Sequence, residues 1–525
     1  MSSRPATVPG PVPDVPPPTA AGAQGSMAHS SLWAAVSQVA VLGIQGLAAL
    51  AILLTFGKGA DTDAVFAAYG VYGVLVVMCQ TLRLTVVARV VESPSPWAAF
   101  DRFLGAGLSV LLIAGAVQLI FGDAIAGLLT GDLGAHARSV ARSTLAILWL
   151  AVGGQLVAAL GAAVLAVRGE FRHPGLSFVA GGVLNIVLLL ALAGPIGILS
   201  VATGVAAGSA LSAIAMVARL RHDGYRTDVR RVLAGAREWR TSALLVVAST
   251  ATVMTQFNFV VSTAFAAHLG VGAVTVYTTA FFGGAIVIAL TASAAAIVLA
   301  APVAQSWDRH AEGLLPHLQT IMRAGLMLIG PAVAVAMLVG DDFIDLLLGG
   351  AFTAADADRT VGGFAALTGL FVGILAMQLP LLAAYALARY RAVAVVSLVA
   401  SAVHAGACVV ALQLGGIAWL GAAASLSSLT AMALVVGLVH GSGTARALAI
   451  VAREAAVVAL ACLVTFGPAA LAAAALGSGA WDLAAVVVGA AAFVALLRAV
   501  LPQHAAVALR MLGPVLPARL RPAAA

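Results

Sequence analysis

Arg83 stands out in a chain that is poor in charge. It lies within an apolar run, residues 64–88, one helical turn after Gln80, so on a helix the two share a face. A guanidinium grips phosphate through two parallel hydrogen bonds, which makes Arg83 a candidate anion-binding group. The alternative is that the helix ends early and Arg83 snorkels to the headgroups. Gln38 and Gln45, two turns apart, share a face of an earlier run. Gln256 and Asn258 stand two apart in a later run and cannot share a face of a regular helix. Intramembrane polar residues of this kind either line a substrate path or tie helices together, a tie being worth about 1 kcal/mol or less. Asn185, Gln378, His404 and Gln413 read as ties, with titration in a proton gradient as the alternative for His404.

Motifs for enzyme chemistry are missing. The sequence has no phosphate-cradling P-loop, no HExxH, no CxxC pair and no nucleophile elbow. The expectation is a protein that is not an enzyme, uses no cofactor, and carries out secondary or passive transport. Cys79, Cys408 and Cys462 all fall in apolar runs and read as small core residues rather than a disulfide or metal site. Acidic residues fall in loops or near span ends, as Glu454 does, which counts against a proton- or sodium-coupled drug exporter.

The elements that must position these residues follow from composition. Of 525 residues, 62% are hydrophobic and 9% charged, with a mean hydropathy of +1.08. A soluble protein needs roughly 25% charged residues to cover its surface. Apolar runs long enough to cross a bilayer recur from end to end, and in lipid such runs must be helices. The pattern predicts an all-α integral membrane protein with fourteen spans near 32–56, 64–88, 103–122, 143–167, 175–193, 196–217, 242–268, 272–301, 320–339, 361–387, 393–414, 417–439, 451–475 and 481–500. The short stretches 123–131 and 341–350 read as excursions at the membrane surface. Residues 1–30, rich in Pro and Ala, are expected to be a disordered tail, with Met27 an alternative start. The linker 219–241 reads as a solvated basic connector, or alternatively as an interfacial helix with Trp239 at headgroup level.

Charge sets the expected orientation. Placing the N-terminus in the cytoplasm puts 22 basic residues on that side and four, Lys58, Arg138, Arg142 and Arg359, outside. Both termini are then cytoplasmic. The basic charge is spread between apolar runs rather than gathered in one stripe, so no nucleic acid partner is expected.

The chain also repeats. Gly122-Asp123 is echoed by Gly340-Asp341, Arg168 to Arg172 by Leu387 to Arg391, and Gly194-Pro195-Ile196-Gly197 by Gly415-Gly416-Ile417-Ala418, at offsets of 218 to 221. Asn185 and His404 are equivalent at an offset of 219. Six spans separate equivalent positions, so the two repeats run parallel. The expected domains are an N-lobe 31–218, the linker 219–241, a C-lobe 242–440, two further helices in 441–500, and a tail 501–525.

Three segments carry a family resemblance. Phe56-Gly57-Lys58-Gly59-Ala60-Asp61-Thr62-Asp63-Ala64 is similar to an FGxGxxTDA segment, Gly350-Ala351-Phe352-Thr353-Ala354-Ala355-Asp356 to a GxFTxxD stretch, and Ala384-Tyr385-Ala386 to an FYA signature. On these the chain resembles the lipid II flippase family (MurJ/MviN type) of the multidrug/oligosaccharidyl-lipid/polysaccharide exporter superfamily. Residues 273–305, with Tyr277 early and Pro302 late, match the layout of that family's eighth helix, which adds Tyr277 to the cavity candidates. The family's cavity arginines fall at or near Gln38, Gln45, Val76 and Ala280 here, and the FYA turn lacks the family's following Asp-Thr and Pro.

The resemblance implies a flippase for a polyprenyl-pyrophosphate-linked cell-wall precursor in the bacterial cytoplasmic membrane. Its partners would be membrane lipids, the lipid-linked anionic glycan precursor and cell-wall synthesis proteins. The alternatives are a drug or metabolite exporter on the same fold and a transport-inactive scaffold for cell-wall synthesis.

Overall fold

The computed structural model describes residues 40–506 apart from 42, 93–94, 169, 171, 289–310, 388, 478 and 505. Among the described residues every regular element is a helix: α1 (Gly43–Phe56), α2 (Ala60–Glu92), α3 (Pro96–Thr130), α4 (Ala135–Val167), α5 (Arg172–Ile196), α6 (Ser200–His222), α7 (Val229–Arg237), α8 (Trp239–Ala266), α9 (Ala273–Ile288), α10 (Leu315–Leu348), α11 (Ala354–Ala366), α12 (Thr368–Ala386), α13 (Tyr390–Leu414), α14 (Ile417–His440), α15 (Thr444–Leu476) and α16 (Ala480–Val500). All but the short α7 correspond in order to the fourteen membrane helices, the tenth being α11 and α12 joined at Leu367.

Two expectations need correction. Residues 123–131 and 341–350 are not separate excursions, because α3 runs unbroken to Thr130 and α10 to Leu348. At 1.5 Å per residue, the 35 residues of α3 reach about 52 Å, well beyond a hydrocarbon core of about 30 Å. The extension of α3 meets its neighbour where Arg142 on α4 pairs with Asp123 at 3.0 Å, and within α3 the Thr130 hydroxyl donates back to the Ala126 carbonyl at 2.8 Å. On α10, Gly340 lets the chain approach Val361, whose Cγ2 would lie 2.8 Å from an added Cβ.

The repeat reappears as packing. A Cβ on Gly154 of α4 would lie 2.9 Å from the Ser209 carbonyl oxygen of α6; one on Gly373 of α12 would lie 2.9 Å from that of Ser428 on α14. Both members of the second pair stand 219 residues after those of the first. Gly181 of α5 is similarly pressed on Gly208 of α6, a Cβ there falling 2.5 Å from the Gly208 oxygen. At the equivalent pair in the second half, the Ser427 hydroxyl donates to the Ala400 carbonyl at 2.8 Å. Lipid offers no hydrophobic drive between helices, so backbone contact at small residues and interhelical hydrogen bonds hold each half together. His404 also acts as a tie, its Nε2 lying 2.9 Å from the Asn258 carbonyl and 3.0 Å from the Ser262 hydroxyl on α8.

The linker forms α7, started by Asp228, whose side chain accepts from the Arg230 and Arg231 amides. α7 is fixed to α3 by backbone contact: a Cβ on Gly105 would lie 1.9 Å from the Val232 oxygen, and one on Gly235 would lie 2.1 Å from the Arg102 oxygen. Tyr225 donates to the buried Asp101 at 2.6 Å. Burial, with this bond to Asp101 next, pushes the Tyr225 hydroxyl up to about 12. Nearby, Arg219 holds Glu170 at 2.8 Å and also pairs with Asp223, while Arg168 reaches Asp223 at 2.8 Å. At the other end of the chain, the buried Glu454 of α15 accepts from Gln319 at 2.7 Å. It also pairs with Arg323 at 3.2 Å and His504 at 2.8 Å, docking α15 and the segment just after α16 on α10.

Candidate functional site at the interface of the two halves

The halves meet where α2 packs on α8 and α9. Two glycines of α2 set the distance: a Cβ on Gly70 would lie 3.1 Å from the Phe259 ring, and one on Gly73 3.0 Å from Gln256 Oε1. Around them, Phe282 of α9 takes Phe66 at 6.4 Å and Tyr69 at 6.5 Å edge-on, and stacks on Phe259 at 6.0 Å. These are favoured aromatic geometries, and they fill the seam with apolar surface.

One end of the seam is polar and closed. Asp63, wholly buried in the first turn of α2, accepts from the Gly272 amide at 2.6 Å, the Thr275 amide at 2.8 Å and the Thr275 hydroxyl at 2.5 Å. The unpaired amides and positive dipole end of α9 thus belong to a carboxylate of the other half. Lys58 lays its stem over Gly272 and pairs with Asp356. That carboxylate also accepts from the Thr353 amide at 3.0 Å, in a capping box that starts α11. Asp132, just after α3, pairs with His268, just after α8, at 2.9 Å.

The two ion pairs join topologically equivalent connections of the two repeats, although their residues do not match at the repeat offset. The loop after α1 meets the first turn of α11, and the loop after α8 meets the loop after α3. They differ in exposure: the Asp356 side chain is 5% exposed, whereas His268 and Asp132 are 41% and 79% exposed. Exposed pairs contribute about 0–1 kcal/mol. Closure therefore rests mainly on Asp63 and on Lys58–Asp356.

The cavity candidates separate in space. Gln256 faces α2 across the seam, at Gly73. Asn258 turns the other way, its amide donating to Ser427 of α14 at 2.9 Å, so the two-residue spacing divides them as expected. Tyr277 is wholly buried, stacked with Phe259 at 6.1 Å and Phe281 at 6.3 Å behind the seam. Gln45 is exposed on α1. Gln38, and the side chains of Gln80 and Arg83, lie outside the described residues, although the backbone of α2 continues as helix through both positions to Glu92. Among the described residues no cluster of His, Cys, Asp and Glu could hold a metal ion.

Lys58, Asp63, Asp132, His268 and Asp356 were not singled out from the sequence as site residues. The available signals were that Lys58 is the only lysine and that Lys58, Asp63 and Asp356 fall in the family-like segments.

Two equivalent helical halves latched at one end, with two further helices, define a two-lobed all-helical membrane protein. The family profile described as lipid II flippase MurJ matches residues 97–489, and the chain belongs to that family. Among solved structures it is similar to a lipid II flippase MurJ in an inward closed conformation, with a TM-score of 0.69 and 16% identity over 92% of this chain and 99% of that one. An inward-facing multidrug resistance MATE family transporter aligns at a TM-score of 0.60 and 15% identity, over 79% of this chain and 98% of its own. A superfamily transporter from Pyrococcus furiosus with a binding pocket of reversed polarity aligns at 0.56 and 16%, over 80% and 96%. A search of curated protein sequences gives no match.

Proposed function

We propose that the protein is a flippase carrying a polyprenyl-pyrophosphate-linked cell-wall precursor, lipid II or a related lipid-linked glycan, across the bacterial cytoplasmic membrane. Family membership over residues 97–489 is the observation that carries this reading. The arginine-rich side, with both termini, faces the cytoplasm, and the latched end of the seam faces out. The latch holds that outer end shut while a headgroup is accepted from the cytoplasmic side between an N-lobe 31–218 and a C-lobe 242–440. Release of the latch, with closure of the inner end, delivers the headgroup outward while the lipid tail stays in the bilayer. Residues 441–500 supply a groove for the tail, and cell-wall synthesis proteins are the expected partners.

Within this reading Gln38, Gln45, Gln80, Arg83 and Gln256 form the headgroup path, with Asn258 and Tyr277 holding its C-lobe wall in place. Arg83 stands about 35 Å along α2 from Ala60, more than one core thickness, which supports a position at the inner mouth of the path. There it is suited to capture pyrophosphate first. A second reading, export of a drug or metabolite, is favoured only by the neutral glutamines, which fit a less anionic cargo.

The test is leaflet exposure of labelled polyprenyl-pyrophosphate precursor in proteoliposomes. The wild type flips the precursor, and Arg83→Ala slows flipping about tenfold or more, since a charge-assisted hydrogen bond is worth about 1.5–3 kcal/mol. Wild-type protein that flips nothing under an imposed potential or ion gradient, yet exports amphipathic cations, overturns the proposal in favour of the second reading.

A further inference from the structure

The lobe linker presents a surface that the transport reading does not use. α7 turns Gly235 and Val232 onto α3 and leaves Val229, Leu233, Arg230 and Arg237 exposed, with Arg226 just before it and Arg240 just after. Arg219 and Arg231 of the same linker are paired with carboxylates, Arg219 with Glu170 and Asp223 and Arg231 with Asp228. Arg226, Arg230, Arg237 and Arg240 have no acidic partner among the described residues. Trp239 is 71% exposed, with the Arg240 guanidinium 6.0 Å from its ring.

We infer that this face of α7 is a docking surface for anionic phospholipid headgroups of the leaflet on the arginine-rich side. Depth is the first argument. α7 crosses α3 at Arg102–Gly105, where the apolar run of α3 begins, so it lies at headgroup level rather than out in water. Chemistry is the second. Val229 and Leu233 are one turn apart, and Arg230 and Arg237, two turns apart, lie together along one side of them, an apolar ridge beside a row of cations. Such a face inserts its apolar side chains beneath the phosphates and pairs its guanidinia with them. Trp239, with an apolar body and a polar N–H, belongs at the same boundary. A soluble acidic partner would match the charge and leave the apolar ridge unexplained. Only Glu238 separates α7 from α8, so lipid bound here sits at the joint between the lobes. This inference is independent of which cargo is carried.

Full-length protein in proteoliposomes tests it through Trp239 fluorescence, taken as the difference between wild type and Trp239→Phe. Brominated phosphatidylglycerol should quench this signal at a lower mole fraction than brominated phosphatidylcholine. With Arg226, Arg230, Arg237 and Arg240 all changed to Gln, the preference should fall at least tenfold, since each arginine contributes roughly fivefold near an anionic surface. Changing the same four to Lys should preserve most of it, and 0.5 M salt should weaken it in the wild type. Equal quenching by the two lipids in the wild type overturns the inference and leaves the arginines to a soluble acidic partner. A preference unchanged in the folded Gln variant overturns it as well. Monodispersity of the Gln variant checks its fold, and the wild-type comparison stands if that variant does not fold.

Discussion

Asp63 carries the largest single share of the closed end, because a buried carboxylate there receives three donors from the opposite lobe. Asp63→Ala leaves those donors without their charged partner and should cost about 2–4 kcal/mol, with thiol labelling of a cysteine placed at the neighbouring buried Val274 accelerated in membranes. An unchanged melting temperature together with unchanged labelling would refute this role. Lys58→Met keeps the stem that covers Gly272 and removes only the charge. Its partner Asp356 is buried but keeps the Thr353 cap, so the expected loss is about 2 kcal/mol, read by thermal unfolding in detergent. None of these pairings was legible in the sequence: the partners of Asp63 stand 209 and 212 residues away, and that of Lys58 stands 298 away. Spacing reports neighbours on one helix only. It did report correctly that Gln256 and Asn258 face different ways.

Helices pair through contacts that can be tested one residue apart. Gly154→Leu and Gly373→Leu should each destabilise by about 1–3 kcal/mol, because a Cβ already meets serine backbone there, and the two losses should be alike. Gly153→Leu, with open space around it, should be tolerated. Equal effects at Gly153 and Gly154, measured by thermal unfolding, would contradict the packing. The staple of α6 to the turn before α5 should depend on pH. Burial pushes the Asp223 carboxyl up, but hydrogen bonds from Arg219 and His222 and the charges of Arg219 and Arg168 outweigh it and hold it below its ordinary value. A depressed carboxylate stabilises above its unfolded pKa and loses that contribution as pH falls through its folded one. Amide exchange in the turn should therefore stay slow at neutral and mildly acidic pH and speed up only below the ordinary carboxylate range. In Asp223→Asn it should be fast throughout. The spans themselves were legible because lipid forces apolar runs into helices. The ends of α3 and α10 were not, because extensions beyond the core depend on partners such as Arg142 and Val361 on neighbouring elements.

At the scale of the molecule, two parallel repeats were legible from an offset near 219, and that offset recurs in the glycine–serine contacts of the two halves. The family was legible in short segments, two of which, around Lys58 and Asp356, meet across the lobes. What composition could not supply is which end of the seam is shut, since that depends on loops from both halves arriving together. If the proposed precursor crosses between the lobes, this end must open. Asp132→Cys and His268→Cys place one thiol on each lobe, and a short cleavable bis-maleimide can bridge them. The native cysteines Cys79, Cys408 and Cys462 are buried. Bridged protein in proteoliposomes should stop flipping labelled polyprenyl-pyrophosphate precursor, and cleaving the linker should restore the rate of the unbridged variant. Flipping that continues undiminished with the lobes bridged would contradict the account.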